Sequence, residues 1–401
     1  MSSNGEDFEN IKQFFKSNVS VETLEGVLDY GPDTIFGIDS ISAKALKQEG
    51  IKTIQHLANL NEQSPPKIAG ILPRMLIKWI KIAGVLEKVV RNEIKQRKKI
   101  VLIGLDNGGK SSILAVLQNE YSKLQSLLPT KGVKREKLDF FGFPIISWDL
   151  GGQIQYRETY FEQPELYFSG VDLILYVIDV QDPERFEVSA DYFKKILESI
   201  KSLEEKPTLH LIIHKSDQDF RKNLKWQQNV KKIKDLFNPI INKFDGLNTK
   251  YIDTTIYQQE TVLQMLSEAL KEISDTSKII DNIMEELIVK IKARAASLIS
   301  LEGLIFGGFQ HEKKDGELLN NTALQFHTMS NFHTSMDLVR EREIVLEMPL
   351  NEFIFKGEIL FEYSEHGIPV YLWILTENPA LVADHVATFK QQLSPLIHLF
   401  L

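Results

Sequence analysis

Gly104-Leu-Asp-Asn-Gly-Gly-Lys-Ser111 is the stretch on which the reading of this chain turns. The apolar run Lys99-Ile-Val-Leu-Ile103 precedes it, and a helical pattern over residues 112–124 follows. A glycine-rich loop between strand and helix that ends in Gly-Lys-Ser is built for phosphate. Glycine lets the backbone curl until successive N–H groups face one point, and the helix N-terminus adds partial positive charge there. Asp106, Asn107, Gly108, Gly109, Lys110, Ser111 and Ser112 are therefore the candidate phosphate-binding residues. Lys110 is placed to neutralise β- and γ-phosphates, and the Ser111 hydroxyl to ligate Mg2+. The plain alternative is a chance glycine turn followed by lysine, against which the strand–helix setting argues.

Outward from this loop, buried-strand runs alternate with helical patterns at 100–103, 145–148, 173–178, 209–213 and 251–253. That alternation implies βαβ units and a mostly parallel sheet, in a domain that ends near Ile273. Trp148-Asp-Leu-Gly-Gly-Gln153 closes the second run. Asp149 can hold the shell of a Mg2+ ion, Gly152 can bring a backbone N–H to a γ-phosphate, and Gln153 is the candidate catalytic residue that orients an attacking water. Alone, Asp-x-Gly-Gly-Gln could be a strand-ending turn; after a phosphate loop in the same sheet it reads as a γ-phosphate sensor. Between them lies Leu128-Pro-Thr-Lys-Gly132, where Thr130 is the candidate for both Mg2+ and γ-phosphate. The candidate metal set is thus Ser111, Thr130 and Asp149.

Base identity is expected from Ile212-Ile-His-Lys-Ser-Asp217. The Asp217 carboxylate can accept two hydrogen bonds from guanine N1 and N2, which adenine cannot supply, and a buried carboxylate left unpaired is costly. His214 could hold the phosphate loop or the base edge, the Lys215 stem can pack on the purine, and Thr255 and Ile256 follow the run 251–253 as the last backbone contact to guanine O6. Read in isolation, His-Lys-Ser-Asp could equally be a solvated loop.

The bulk numbers set limits. A length of 401 residues suggests two or three domains, and 43% apolar with 25% charged residues is ordinary globular composition. A net charge of −8 argues against a whole-molecule polyanion binder. The absence of cysteine removes disulfides, thiolate zinc sites and cysteine nucleophiles. Met1-Ser-Ser-Asn-Gly-Glu-Asp7 reads neither as a signal peptide nor as a myristoylation site. No apolar run approaches the roughly 20 residues that cross a bilayer. The expected location is the cytoplasm, with peripheral membrane association through partners.

Residues 99–273 resemble the Ras-like small GTPases. The phosphate loop and Trp148-Asp-Leu-Gly-Gly-Gln153 look like the Arf group. His214-Lys-Ser-Asp217, Gly152-Gln-Ile-Gln-Tyr-Arg-Glu-Thr-Tyr-Phe161 and Thr254-Thr-Ile-Tyr257 look like the Rag/Gtr group. Members of that group carry a C-terminal roadblock-type domain, and residues 275–401 have a matching helix–strands–helix order. The resemblance implies a switch that binds GTP or GDP with Mg2+, hydrolyses GTP slowly, answers to activating and exchange proteins, and forms a homo- or heterodimer through its C-terminal domain. No arginine stands just before Thr130, so a partner that supplies one is expected to raise turnover by about 10³–10⁵.

The front segment resembles a helix-hairpin-helix domain over Gly37-Ile-Asp-Ser-Ile-Ser-Ala-Lys-Ala-Leu46, with Asp39 where nucleic-acid-binding members have a second glycine. A carboxylate there repels phosphate, which argues against nucleic acid as a partner. Leu72, Met75, Leu76, Trp79, Ala83, Leu86 and Val90 then mark one face of a helix whose basic residues, Lys78 onward, form a stripe. The stripe reads as an ordinary surface helix packed on the central domain, with a nucleic-acid or anionic membrane surface as alternatives. In the last segment, helices are expected over 278–296 and 380–398, with strands over 298–309, 323–329, 343–348, 352–363 and 370–376. His327 and His333 read as core or surface histidines, and Phe353, Phe355, Phe361, Tyr363, Tyr371 and Trp373 as filling for the core and sheet faces.

The expected fold is an α/β GTPase domain over 99–274, of mostly parallel sheet with helices on both faces. It is flanked by an all-α helix-hairpin-helix-like module over 1–98 and an α+β roadblock/longin-like dimerisation domain over 275–401. Three functional readings stay open beside the Rag-like switch: a constitutively GTP-bound scaffold, an Arf-like membrane-trafficking GTPase, and a nucleic-acid-linked GTPase that uses the front module.

Overall fold

Strand runs rich in Ile, Val and Leu, separated by amphipathic helices, can bury both faces of a sheet only by laying helices on each side. In the computed structural model the chain forms two compact units, residues 96–273 and a second that joins 1–95 to 274–401. The structure describes residues 11–398 except 13, 17, 20, 22, 25, 92–97, 119, 127–132, 141–142, 151–157, 159, 245–246, 275, 302, 350–352 and 364–367.

In the second unit's first part, α1 (Ser40–Gln48), α2 (Ile54–Ala58) and α3 (Pro73–Val90) follow a short irregular stretch. Asp39 caps α1, its carboxylate accepting from Ser42 N–H at 2.7 Å. That bond satisfies an orphan donor of the helix, which accounts for an acid where a glycine was the other option. The central unit holds β1 (Lys99–Gly104), α4 (Lys110–Leu117), β2 (Val133–Phe140), β3 (Phe143–Leu150), α5 (Pro164–Phe168), β4 (Leu173–Asp179), α6 (Phe186–Ser202), β5 (Thr208–His214), α7 (Gln218–Arg221), α8 (Leu224–Ile241), β6 (Thr249–Asp253) and α9 (Gln259–Ile273). Then come α10 (Ser277–Ile291), β7 (Ala295–Ser300), β8 (Ile305–Gln310), α11 (Lys313–Ser335), β9 (Glu343–Met348), β10 (Phe353–Tyr363), β11 (Ile368–Thr376) and α12 (Ala380–His398).

The central sheet runs β2-β3-β1-β4-β5-β6. All its pairings are parallel except the antiparallel β2–β3 edge. Alternate residues of the strands, including Val101, Ile103, Ile174, Tyr176, Leu209 and Leu211, meet Phe193 and Ile196 of α6 and Ile233 and Phe237 of α8. Each such side chain, fully buried, contributes about 1.5–3 kcal/mol. β2 escapes a hydrophobic reading because Lys134-Arg-Glu-Lys137 supplies no apolar run. An edge strand with one partner tolerates, and is protected by, such charge.

In the other unit the sheet is antiparallel, in the order β8-β7-β11-β10-β9. Ala295, Ile299, Phe355, Tyr371, Trp373 and Leu375 pack with Leu319 and Ala323 of α11. Here the structure corrects the sequence reading: residues 323–329, expected as a strand, lie inside α11. Leu319, Ala323, His327 and Ser330 recur at helical intervals and are its buried face. Residues 298–309, expected as one strand, belong to the β7–β8 hairpin. His327 is a core residue whose Nε2 accepts from Trp373 Nε1 at 2.9 Å, and burial lowers its pKa to about 4. Phe353 joins Phe355, Tyr371 and Trp373 at this core, while the side chains of Phe361 and Tyr363 are outside the described set.

The flanking segments, expected as separate modules, share this one unit. The reason lies in α3, whose buried residues go beyond one stripe and include Lys78. Its ammonium meets Glu286 of α10 at 2.9 Å. Lys78 is thus an internal ion-pair residue and not part of a basic surface, and α3, expected to lie on the central domain, packs on α2 and α10.

Candidate functional site

In an open parallel sheet the loops that leave the C-terminal strand ends meet at one edge, where ligands bind. The phosphate loop leaves β1 there. Gly104 has φ +152°, and a Cβ at this position would stand 2.3 Å from the Val177 carbonyl of β4, so only glycine fits so close to a neighbouring strand. Gly109, at φ +95°, caps α4, and a Cβ on it would stand 2.3 Å from the His214 ring. Lys110, Ser111 and Ser112 form the first turn of α4.

Four successive carbonyls of the loop, those of Gly104 to Asn107, accept from cations. Lys110 Nζ donates to the carbonyls of Gly104 at 3.1 Å and Leu105 at 2.8 Å. Arg185 donates to the Asp106 carbonyl at 3.1 Å, and Lys215 Nζ to that of Asn107 at 2.9 Å. A trans peptide carries its C=O and the following N–H on opposite sides. With the Asp106 carbonyl held by Arg185, the Asn107 N–H is directed to the opposite side of that peptide, while the Gly108 N–H turns back to the Leu105 carbonyl at 3.4 Å.

His214 ends β5 and lies beneath Gly109, which brings it to the phosphate loop, one of its two expected places. Its Nδ1 is 2.9 Å from Thr254 Oγ1. Burial, then the neighbouring Lys215 charge, lowers its pKa to about 3, so the ring is neutral at physiological pH. Lys215 adopts φ +60°, and besides Asn107 it meets Asp179 Oδ2 at 2.5 Å. Asp217 receives Thr255 Oγ1 at 2.5 Å on one oxygen and Gln181 Nε2 at 3.0 Å on the other. Thr255 is buried and its amide donates to Thr261 Oγ1 at 3.0 Å; Ile256 beside it is half-buried.

Asp149 lies in β3 with its backbone opposite Leu102 of β1, and Ser111 lies in the first turn of α4. Thr130, Gly152 and Gln153 fall outside the described residues. The structure therefore brings together the phosphate loop, His214, Lys215, Asp217 and Thr255.

Sequence reasoning missed Asp179, Gln181 and Arg185. Gln181 Nε2 bonds both the Lys215 carbonyl at 2.8 Å and Asp217, and Arg185 holds Asp106. The available signal was positional: Asp179-Val-Gln-Asp-Pro-Glu-Arg185 directly follows the run 173–178 at the same sheet edge. Further out, Trp226 Nε1 donates to Ser216 Oγ at 3.2 Å and Asn229 to the Val180 carbonyl at 2.8 Å, so α8 braces both loops.

Comparison with known proteins places the chain in a family. A family profile described as the Gtr1/RagA G protein conserved region matches residues 99–332, more than half of the chain. ADP-ribosylation factor 3 of Arabidopsis thaliana is 35% identical over 100 residues, which is 25% of this chain and 52% of that protein. ADP-ribosylation factor 1 of Brassica rapa subsp. pekinensis matches to the same extent. The chain thus spans about half the length of these curated relatives. Among solved structures, the Arl6 BBS3 small GTPase from Trypanosoma brucei with the bound nucleotide analogue GppNp is 20% identical, with a TM-score of 0.36, over 44% of this chain and 97% of that one.

Proposed function

Since the chain belongs to the Gtr1/RagA family of G proteins, we propose that it is a guanine-nucleotide switch that binds GTP or GDP and hydrolyses GTP slowly. One observation carries this reading. The loop that would read the base is tied directly to the loop that would hold the phosphates, through Lys215 Nζ and the Asn107 carbonyl. Asp217 presents a carboxylate already oriented by two side-chain donors, which suits a site that must accept a paired N–H from guanine.

The donor set fits Mg2+. Ser111 is in the first turn of α4 and Asp149 is next to the last residue of β3, so a hydroxyl residue and a carboxylate residue come to one end of adjacent strands. Hard cations of this size take oxygen ligands of that kind. Ser111, Asp149 and Thr130 are the residues proposed to hold the ion, which when bound neutralises charge on the phosphate oxygens. Gln153 is the residue proposed to orient the attacking water, and Gly152 and Thr130 to sense the γ-phosphate. Single-turnover GTP hydrolysis tests this: the isolated chain is expected to turn over slowly, and Gln153→Leu more slowly still. Undiminished hydrolysis in that variant contradicts the assignment.

For residues 275–401, the order helix, two strands, helix, three strands, helix around an antiparallel sheet supports a roadblock-type module. A dimer through it is supported by the exposed apolar residues Met329, Phe332, Met336 and Val339 and, separately, by the edge strand β9, which exposes Val345. The short helices of residues 30–61 support the helix-hairpin-helix likeness, with Asp39 spent on a cap and so unsuited to a phosphate. Among the described residues no helix is long and apolar enough to cross a membrane. Residence in the cytoplasm, with membrane contact through partners, remains part of this proposal.

A further inference from the structure

Arg185 stands outside every phosphate- and guanine-reading motif, yet it grips the phosphate loop at two atoms of one residue. One guanidinium nitrogen is 2.5 Å from the Asp106 carboxylate and another donates to the Asp106 carbonyl at 3.1 Å. The side chain is about one-third exposed, as is that of Asp106, and it leaves the 3-10 turn Pro183–Arg185, which opens α6. Among the described residues, Asp182 is the other acid beside it, at 4.0 Å.

Asp106 poses a problem that this grip answers. A carboxylate within a loop that must surround a polyphosphate repels the ligand, and the repulsion grows with each phosphate charge. A guanidinium with one nitrogen on the carboxylate and another on the main-chain carbonyl of the same residue offsets that charge and fixes its direction. The same group holds the Asp106 carbonyl, and the Asn107 N–H lies on the opposite side of that peptide. Lys215 holds the next carbonyl, that of Asn107, and the Gly108 N–H that follows it turns back to the Leu105 carbonyl at 3.4 Å. Two cations from two different loops thus set two consecutive peptides, and only one of them belongs to a guanine-reading motif.

We propose that Arg185 is a positioning residue for polyphosphate: it restrains and neutralises Asp106 so that the loop can accept a nucleoside di- or triphosphate. This rests on the nucleotide-switch reading and deepens it. The contact comes from the loop after β4, which also holds Asp217 through Gln181. One loop therefore sets the phosphate end and the base end together.

The test is equilibrium titration of the full chain with GTP and with GDP in Mg2+, for wild type, Arg185→Ala, Arg185→Lys, Asp106→Ala and the double variant Asp106→Ala/Arg185→Ala. Arg185→Ala is expected to weaken GDP binding by about tenfold and GTP binding by more, the scale of a lost charge-assisted hydrogen bond. Arg185→Lys should fall between, because one ammonium cannot span both acceptors; it also carries the test if the alanine variant does not fold. Removing the carboxylate as well should restore most of the lost affinity. A merely structural arginine would lower GTP and GDP binding equally and gain nothing from Asp106→Ala, and that result overturns the inference. So does an unchanged affinity with slower hydrolysis, which would make Arg185 catalytic. Wild type that takes up no guanine nucleotide overturns the switch reading and this inference together; wild type that binds while the Arg185 variants bind as tightly overturns the inference alone.

Discussion

The ammonium of Lys215 donates to the main-chain carbonyl of Asn107 at 2.9 Å while resting against Asp179 at 2.5 Å. It is a strut between the base-side and phosphate-side loops, and its worth can be measured. Hydrogen bonds to charged groups contribute about 1.5–3 kcal/mol. Lys215→Met keeps the stem and loses both bonds, so nucleotide release should quicken by about 10–100-fold for GTP and GDP alike. Stopped-flow displacement of a fluorescent GDP checks it.

Asp217 is expected to decide base identity. Asp217→Asn replaces an acceptor with a donor, so guanine loses a partner while xanthine, with an oxygen in place of the 2-amino group, gains one. The variant should bind xanthine nucleotides better than guanine nucleotides, by competition binding. A preference left unchanged shows that the base is read elsewhere.

His214 makes the central unit sensitive to acid. Its pKa is near 3 when folded, against an ordinary value of 6.5. The unfolded chain therefore binds a proton that the folded chain refuses. The neutral ring's contribution is complete above pH 6.5 and is lost progressively as pH falls toward 3, at about 1.4 kcal/mol per pH unit. Denaturant unfolding of wild type at pH 7 and pH 5 should show this loss, and His214→Gln, which cannot titrate, should show a shallower slope.

Lys78 and Glu286 join α3 to α10 inside the other unit. Removing one charge from a buried pair typically costs about 3–5 kcal/mol, whereas removing both costs less. Lys78→Met should lower the melting temperature of that unit, Lys78→Met/Glu286→Leu should recover part of it, and nucleotide affinity should be unmoved in both. Equal melting of wild type and Lys78→Met means that the pair is not needed to hold the two segments together.

The central sheet and its loops were legible because each signal is local: an apolar run, a glycine turn, a lysine. Gly104-Leu-Asp-Asn-Gly-Gly-Lys-Ser111 announces its own backbone, and His214-Lys-Ser-Asp217 its place after β5. What stayed hidden depends on distance in sequence. Arg185 reaches back to Asp106 and Gln181 forward to Asp217, pairings that no spacing reveals. β2 was hidden by charge, since an edge strand needs no apolar face. Residues 323–329 misled because this part of α11 alternates Ala323, Gln325 and His327 with the larger apolar residues Leu324 and Phe326 much as a strand would. The fusion of the two flanking segments into one unit was invisible because Lys78 carries a charge that only Glu286, far along the chain, makes affordable inside.

The most direct measurement is calorimetric titration of the pure full-length chain, in Mg2+, with GDP, GTP and their adenine counterparts. Tight saturable uptake of both guanine nucleotides with little or no heat from the adenine pair is the expected result. No uptake of either guanine nucleotide, or equal competition by ADP and ATP, would contradict the account at its root.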